Sequence, residues 1–205
     1  IECEPFTDYI GRLYMYMLEL ESKLISNALH VFGQTPELAT QVTTISEYLK
    51  VRGNDRSLPS VILEALGESS VWGDYPSLAT KARKGDPVAL KMRERVDDIA
   101  RDFIEQTIFG NSNPGSVFSV LTGGARIDAE MSAAITTALQ EGLALKTGLQ
   151  DNGQEMQSFV RALNGEYLPS GPGGDLVRDG AAILPTGRNI HAIDPWRIPS
   201  ELAFK

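Results

Sequence analysis

The stretch that decides the fold is residues 86–110, which read DPVALKMRERVDDIARDFIEQTIFG. Asp86 is a good helix N-cap, Pro87 suits the first helical position, and Gly110 is a natural stop. Between them, apolar side chains recur every three or four residues, the period of an amphipathic helix. The predicted buried stripe consists of Val88, Met92, Val96, Ile99, Phe103 and Ile108. The stretch therefore predicts a long helix that buries one face.

The opposite face of this helix is densely charged. Its residues are Arg93, Glu94, Arg95, Asp97, Asp98, Arg101 and Asp102. A run of this kind is typical of a solvated face, with ion pairs one turn apart that are each worth a few tenths of a kcal/mol. We expect these side chains to lie in water.

Helical patterns also flank this stretch on both sides. They are predicted over residues 6–31, 35–51, 58–66, 129–149 and 154–163, with Gly67 as a stop for the third and Asp128 as an N-cap for the fourth. Residues 73–84 form a weaker segment, and residues 117–121 fit either a short strand or a helical turn. No predicted strand is long enough for a sheet, so the fold class is all-α.

Gly and Pro divide the chain into two parts. Residues 164–205 make up about a fifth of the chain but hold 11 of its 30 Gly and Pro residues. Because Gly and Pro interrupt regular structure, we expect a helical body over residues 1–163 and an irregular tail over residues 164–205.

The composition excludes several classes of function. A net charge of −8 argues against non-specific binding to nucleic acid or to a membrane surface, and no apolar run is long enough for an integral membrane segment. One Cys and two His exclude a disulfide framework, a thiolate metal cluster and a three-histidine site within the chain. The phosphate-loop pattern for ATP is absent. The chain begins at Ile1 and ends at Lys205 without a signal at either end, which suggests a piece of a larger protein.

The irregular tail carries chemistry that linkers lack. Arg188, Asn189, His191 and Asp194 follow one another closely, whereas linkers are usually rich in Ser, Gly, Pro and Glu. His191 and His30 are the two side chains that titrate near neutral pH. The residues alone leave two alternatives open for the tail, which are a set of binding groups and a strap that packs on the helical body.

Three stretches carry a resemblance to a known family. Residues 163–180 read LNGEYLPSGPGGDLVRDG, residues 184–199 read LPTGRNIHAIDPWRIP, and residues 19–36 read ELESKLISNALHVFGQTP. The first two resemble the signature of the large subunit of class I tetrapyrrole metal chelatases, which comprise magnesium chelatase and cobaltochelatase. The third is similar to a weaker family segment, with Ala28 where the family has Gly. His191 favours the magnesium branch, because the cobalt branch tends to carry an aromatic residue there.

The resemblance implies an internal segment of a far larger subunit that binds protoporphyrin IX and receives Mg²⁺, both as substrates. ATP would be hydrolysed only by partner AAA+ motor subunits, in the cytoplasm or, in a plant or alga, in the plastid stroma. Two alternatives remain. One is a cobaltochelatase segment acting in cobalamin synthesis, and the other is a non-catalytic helical module that docks the motor subunits.

The resemblance also suggests roles for individual residues, although the family's best-supported catalytic carboxylates lie upstream of this segment. His191 and His30 are candidate catalytic residues, since a neutral imidazole accepts protons. Candidate substrate-binding residues with side chains that match a propionate are Arg188, Arg178 and Asn189. Candidate ligands for the incoming cation are the carboxylates of Glu166, Asp175 and Asp194.

Overall fold

The computed structural model describes residues 32–51, 56–172 and 181–187, together with Ile10, Leu13 and Leu176. The chain divides into two compact units, Ile1–Val31 and Phe32–Lys205. Nearly all described residues belong to the second unit. The predicted helix over residues 6–31 lies outside the described residues except at Ile10 and Leu13, which are helical.

The described part of the second unit is built from helices and helical turns and contains no strand. The α-helices are α1 Leu38–Val51, α2 Leu58–Ala65, α3 Ser69–Trp72, α4 Tyr75–Arg83, α5 Pro87–Ile104, α6 Pro114–Leu121, α7 Ala129–Asp151 and α8 Glu155–Leu163. A π turn spans Glu105–Phe109, and 3₁₀ turns span Asn152–Gln154 and Ala181–Ile183. The predicted all-α class is confirmed. None of the described helices is long and apolar enough to cross a membrane.

Local capping explains where the main helices begin. The Asp86 carboxylate accepts hydrogen bonds from the backbone N–H groups of Val88 (2.9 Å) and Ala89 (3.1 Å). Asp128 accepts from Met131 N at 2.8 Å in the same way. Each side chain satisfies N–H groups that have no partner within the helix. Both predicted N-caps are confirmed.

Helix α5 lies at the centre of the core, in contact with α1, α2, α4 and α6. Its buried residues are Ala89, Val96, Ala100, Phe103 and Ile104. The predicted stripe was therefore wrong at Val88, which is 62% exposed, and Met92 and Ile99 are only partly buried. Small Ala side chains of α5 are buried instead. Helices pack on α5 from several sides, so the positions of these helices, as well as the hydrophobicity of a side chain, determine which side chains are buried.

The predicted solvated face of α5 was wrong at Asp97. Tyr75 Oη donates to Asp97 Oδ1 at 2.5 Å, and Lys50 Nζ lies 3.2 Å from Asp97 Oδ2. The side chains of Lys50 and Asp97 are only 13% and 16% exposed. Helices α1 and α4 bring these partners to the carboxylate, which the sequence of α5 alone does not show.

The two ambiguous segments are helical. Residues 73–84 contain α4, which begins at the N-cap Asp74, and the short helix α3 precedes it. Residues 117–121 belong to α6, whose Phe118 packs edge-on against Phe103 at 5.8 Å between ring centroids. Burial in the core holds both segments as helices.

A change of helical pitch joins α5 to α6. In the π turn, Gly110 N donates to Glu105 O at 2.9 Å, an interval of five residues instead of four. Lys146 of α7 donates from Nζ to Ile108 O at 2.8 Å and lies 4.8 Å from the centroid of the Phe109 ring. The turn is therefore stabilised by a residue 38 positions away.

Candidate functional site

The turn between α7 and α8 buries two polar side chains. Asn152 is 2% exposed and Glu155, the first residue of α8, is 3% exposed. A buried carboxylate is costly unless hydrogen bonds replace the water it loses. The partners of these two side chains therefore indicate what this turn holds in place.

Glu155 binds the backbone that precedes α1. Its Oε2 accepts from Gly33 N at 2.7 Å, across 122 positions in the chain. Gly33 has φ +72°, a left-handed conformation that suits Gly. Close by, Thr35 Oγ1 donates to Gln150 O at 3.2 Å. The segment that begins at Gly33 is thus fixed to the end of α7 and the start of α8.

The tail contacts the same turn from the other end of the chain. Thr186 N donates to Asn152 Oδ1 at 2.9 Å. Gly187 has φ +85°, and a Cβ atom placed on it would lie 2.7 Å from Glu155 Cγ and 2.9 Å from Glu155 Cα. Real Cβ atoms essentially never approach that closely. Only Gly fits between the tail backbone and α8 at this position.

A third tail contact lies one helical turn earlier. Leu184 packs against Gly148 of α7 so closely that a Cβ atom on Gly148 would lie 2.6 Å from Leu184 Cβ. Residues 184–187 therefore pack on the end of α7 and the start of α8. The contacts are the side chain of Leu184, the backbone hydrogen bond of Thr186 and the close backbone approach of Gly187. We call Gly33, Asn152, Glu155, Thr186 and Gly187 the junction clamp.

The junction clamp brings together two of the stretches that carry the family resemblance. Gly33 belongs to residues 19–36, and Thr186 and Gly187 belong to residues 184–199. The bond to Gly33 joins its backbone N–H to a carboxyl oxygen of the buried Glu155 side chain. Arg188, the first of the candidate binding residues in residues 184–199, follows Gly187 directly in the sequence.

Glu166 is the one predicted site residue within the described part of the chain. It is exposed, its Oε2 accepts from Arg161 Nε at 2.8 Å, and its backbone N–H donates to Arg161 O at 3.0 Å. These bonds fix the turn that follows α8, and its role as a cation ligand stays a prediction. The other predicted site residues lie outside the described residues: His30, Asp175, Arg178, Arg188, Asn189, His191 and Asp194.

No group of three or more His, Cys, Asp or Glu side chains within the described ranges is arranged to hold a metal ion. Sequence reasoning also missed Asn152, which fell in the break between two predicted helices, and Glu155, which fell in the first turn of the second. An acidic residue in the first turn of α8 is favourable for the helix dipole and gives no sign of a partner elsewhere. Only the three-dimensional fold brings Gly33 and Gly187 to it.

The chain matches the family model described as CobN/Magnesium Chelatase over residues 1–205. The chain belongs to this family. Among curated family members, it is 50% identical to the magnesium-chelatase H subunit of Chlorobaculum parvum, over 98% of this chain and 16% of that protein. It is 32% identical to the chloroplastic magnesium-chelatase ChlH subunit of Oryza sativa subsp. indica, over 96% of this chain and 15% of that protein.

The cobalt branch of the family also matches. The chain is 25% identical to the aerobic cobaltochelatase CobN subunit of Pseudomonas aeruginosa, over 96% of this chain and 16% of that protein. The chain thus spans about a sixth of the length of these relatives. Its identity to both magnesium-chelatase relatives exceeds that to this cobaltochelatase. No solved structure gave a significant match.

Proposed function

We propose that this chain is a segment of the porphyrin-binding subunit of a magnesium chelatase, acting in chlorophyll or bacteriochlorophyll synthesis. The whole complex would insert Mg²⁺ into protoporphyrin IX while partner AAA+ subunits hydrolyse ATP, in the cytoplasm or the plastid stroma. The 50% identity to a magnesium-chelatase H subunit over nearly the whole chain carries this proposal. The helical body over residues 1–163 would support the tail over residues 164–205.

The chemistry of insertion defines what the tail residues would do. Mg²⁺ releases its water ligands reluctantly and prefers oxygen ligands, so Glu166, Asp175 and Asp194 are suited to receive it. The two pyrrole N–H protons must also leave the macrocycle, and His191 and His30 are the proposed acceptors. The propionate groups would be held by Arg188 and Arg178, with Asn189 beside them, since Arg binds carboxylates through two parallel hydrogen bonds.

The junction clamp supports the assignment of the tail as a binding element. A linker would not need such contacts at two successive positions. The Thr186 backbone donates to Asn152, which is 2% exposed, and Gly187 contacts Glu155, which is 3% exposed. Binding groups work best when a rigid scaffold fixes the loop that carries them. The clamp provides such a scaffold immediately before Arg188.

Substitution of Arg188 and His191 in the full-length subunit tests this proposal. We expect Arg188→Ala to raise the Kd for protoporphyrin IX, measured by fluorescence quenching. We expect His191→Ala to lower kcat for Mg-protoporphyrin formation while the Kd is unchanged. Arg101→Ala, on the exposed face of α5, is the matched control for loss of an Arg. Unchanged affinity and turnover in both tail variants would return the tail to a packing role.

A cobaltochelatase is the second candidate, favoured by the match to a CobN subunit over 96% of this chain. Assays of the full-length subunit with Mg²⁺ and protoporphyrin IX, and with Co²⁺ and a corrin precursor, would separate the two enzymes. A docking module for the motor subunits predicts a different pattern. It would bind the motor subunits in a pull-down while Arg188→Ala and His191→Ala leave porphyrin binding unchanged.

A further inference from the structure

We infer that Glu155 is a positioning residue for the substrate-binding tail. Its side chain and backbone contact Gly33 and Gly187, and Gly187 directly precedes Arg188 in the sequence. This inference rests on the proposed function, because it assigns Glu155 an effect on porphyrin binding that is exerted through the tail.

The hydrogen bond to Gly33 depends on an acceptor oxygen at this position. Glu155 is 3% exposed, and replacing a buried charged group with a well-packed apolar one is often neutral or stabilising. An apolar side chain at the start of α8 would fill the same space without the cost of removing a charge from water. It would lack the acceptor for Gly33 N, so the carboxylate serves to hold that backbone.

The contact with Gly187 fixes the tail at close range. Without a Cβ on Gly187, the tail backbone can lie against the Cα, Cβ and Cγ atoms of Glu155, and a Cβ there would lie 2.7–3.0 Å from them. The Thr186–Asn152 bond sets the register one residue earlier. The backbone at Thr186 and Gly187 is therefore held by the first turn of α8 and the residues just before it. A side chain at position 187 would push this backbone away from α8, directly before Arg188 in the sequence.

One carboxylate thus determines two backbone positions far apart in the sequence. Its Oε2 holds Gly33, and its carbon atoms support Gly187. A substitution at Glu155 should alter the geometry of the tail without removing any group that touches the substrate. A displacement of about 1 Å in a binding group can change rate or affinity by a large factor.

The test uses four substitutions in the full-length subunit, which are Glu155→Ala, Glu155→Gln, Gly187→Ala and Arg188→Ala. We expect Glu155→Ala and Gly187→Ala to raise the Kd for protoporphyrin IX about tenfold or more. Glu155→Gln keeps an acceptor oxygen and nearly the same volume, so we expect it to restore part of the affinity. Combined with Arg188→Ala, each clamp substitution should add little, since both changes act through the same side chain.

Two variants in α7 control for general effects on the fold. Glu141→Gln removes a carboxylate from α7 away from the clamp, and Leu145→Ala creates a cavity in the core of the same helix. We expect Leu145→Ala to lower Tm without changing the Kd. Glu155 would be shown to be merely structural if its variants behaved like Leu145→Ala, or if their effects and that of Arg188→Ala were additive.

The outcomes separate this inference from the proposed function. If Arg188→Ala weakens binding but the clamp variants do not, the positioning role is wrong and the proposed function stands. If the clamp variants weaken binding and Arg188→Ala does not, the positioning of Arg188 by Glu155 is wrong, and so is the proposed contact of Arg188 with the porphyrin. If none of them changes the Kd, both the tail's binding role and the role of Glu155 are wrong.

Discussion

At the scale of single residues, Tyr75, Asp97 and Lys50 form a polar contact inside a helical core. The three side chains come from α4, α5 and α1, and they converge within hydrogen-bonding distance. Burial and the hydrogen bond to the Asp97 carboxylate both raise the pKa of the Tyr75 hydroxyl well above its usual value of 10.0. The phenol is therefore held in its neutral form in the folded chain.

This contact predicts a loss of stability at alkaline pH. Because the pKa of Tyr75 is raised in the folded chain, its contribution to the free energy of unfolding is fully present below pH 10. Above pH 10 this contribution is lost, because the tyrosine ionises in the unfolded chain before it ionises in the folded chain. Tyr75→Phe should lower the free energy of unfolding by about 1 kcal/mol at neutral pH and flatten the decline above pH 10.

Urea unfolding between pH 7 and pH 11 measures both effects. Tyr167→Phe, at an 82%-exposed position, is the control. An equally steep alkaline decline in Tyr75→Phe would contradict the assignment.

Asp74 gives a prediction with the opposite sign. It caps α4 by accepting a hydrogen bond from Ser77 N at 2.9 Å, and hydrogen bonds from Ser77 lower the pKa of its carboxyl group. Asp74→Ala should cost about 1 kcal/mol at neutral pH. Since the pKa of Asp74 is lowered in the folded chain, the wild type is more stable than Asp74→Ala above pH 3.8. This difference in the free energy of unfolding is lost as the pH falls through the lowered pKa of Asp74.

Denaturant unfolding at pH 7 and at the lowest pH where the chain stays folded tests the role of Asp74. Asp98→Ala is the control, because Asp98 forms an exposed pair with Arg101, and such pairs contribute little. A difference between Asp74→Ala and the wild type that stays constant with pH would show that the carboxylate is not the capping group.

At the scale of elements, the sequence predicted helices wherever the signals are local. Asp86 and Asp128 were identified as N-caps, and the predicted ends at Val51 and near Gly67 match α1 and α2. A cap is a contact between residues two or three positions apart, so its pattern is visible in the sequence. The stop at Gly110 was predicted for the same reason.

The elements that could not be predicted depend on distant contacts. Residues 117–121 are short and apolar, and periodicity cannot separate a strand from a helix in such a run. Its helical form follows from Phe118, which packs on Phe103 of α5. The π turn likewise depends on Lys146, and the buried side of α5 depends on which helices surround it.

The packing of α7 against the π turn can be tested at Gly142. A Cβ atom on Gly142 would overlap the Cδ1 atom of Ile108. Gly142→Ala should therefore lower the free energy of unfolding by about 1–3 kcal/mol, despite the higher helix propensity of Ala. Ile108→Val removes the atom in question, so the double variant should recover part of the loss.

Urea unfolding of the single and double variants measures this coupling. Gly115→Ala is the matched control, since its nearest neighbour would be the Asn113 side chain at 3.4 Å. If Gly142→Ala were as mild as Gly115→Ala, or if Ile108→Val made it worse, the close contact between α7 and the π turn would be disproved.

At the scale of the whole molecule, the candidate site joins parts of the chain that no local pattern connects. The resemblance pointed to residues 19–36 and 184–199 separately, and it did not involve Glu155. The bond between Glu155 and Gly33 spans 122 positions, and that between Thr186 and Asn152 spans 34. A sequence pattern identifies each segment, whereas only the packing of α7 and α8 shows that Gly33 of one segment and Thr186 and Gly187 of the other contact the same turn.

The size of the chain leads to a prediction about activity. Small-molecule sites usually enclose about 300–1,000 Å³ and bury most of the ligand surface. Within the described residues, one pocket, between α7 and the residues around Leu49 and Leu58, has a volume of about 130 Å³, which is smaller than such a site. The chain also spans only 16% of its Chlorobaculum parvum relative. We therefore expect the 205 residues alone to form no Mg-protoporphyrin, even with the motor subunits, Mg²⁺ and ATP present.

Fluorescence of Mg-protoporphyrin measures this directly, with the full-length subunit as the positive control under the same conditions. Circular dichroism should show that the isolated chain is helical, so that inactivity is not a consequence of unfolding. Adding the isolated chain to the complete complex tests whether the chain itself binds porphyrin. A chain that carries the tail in its binding conformation should compete for porphyrin, whereas Gly187→Ala should compete less. Magnesium-dependent product formation by the isolated chain would show that these residues alone complete the cavity.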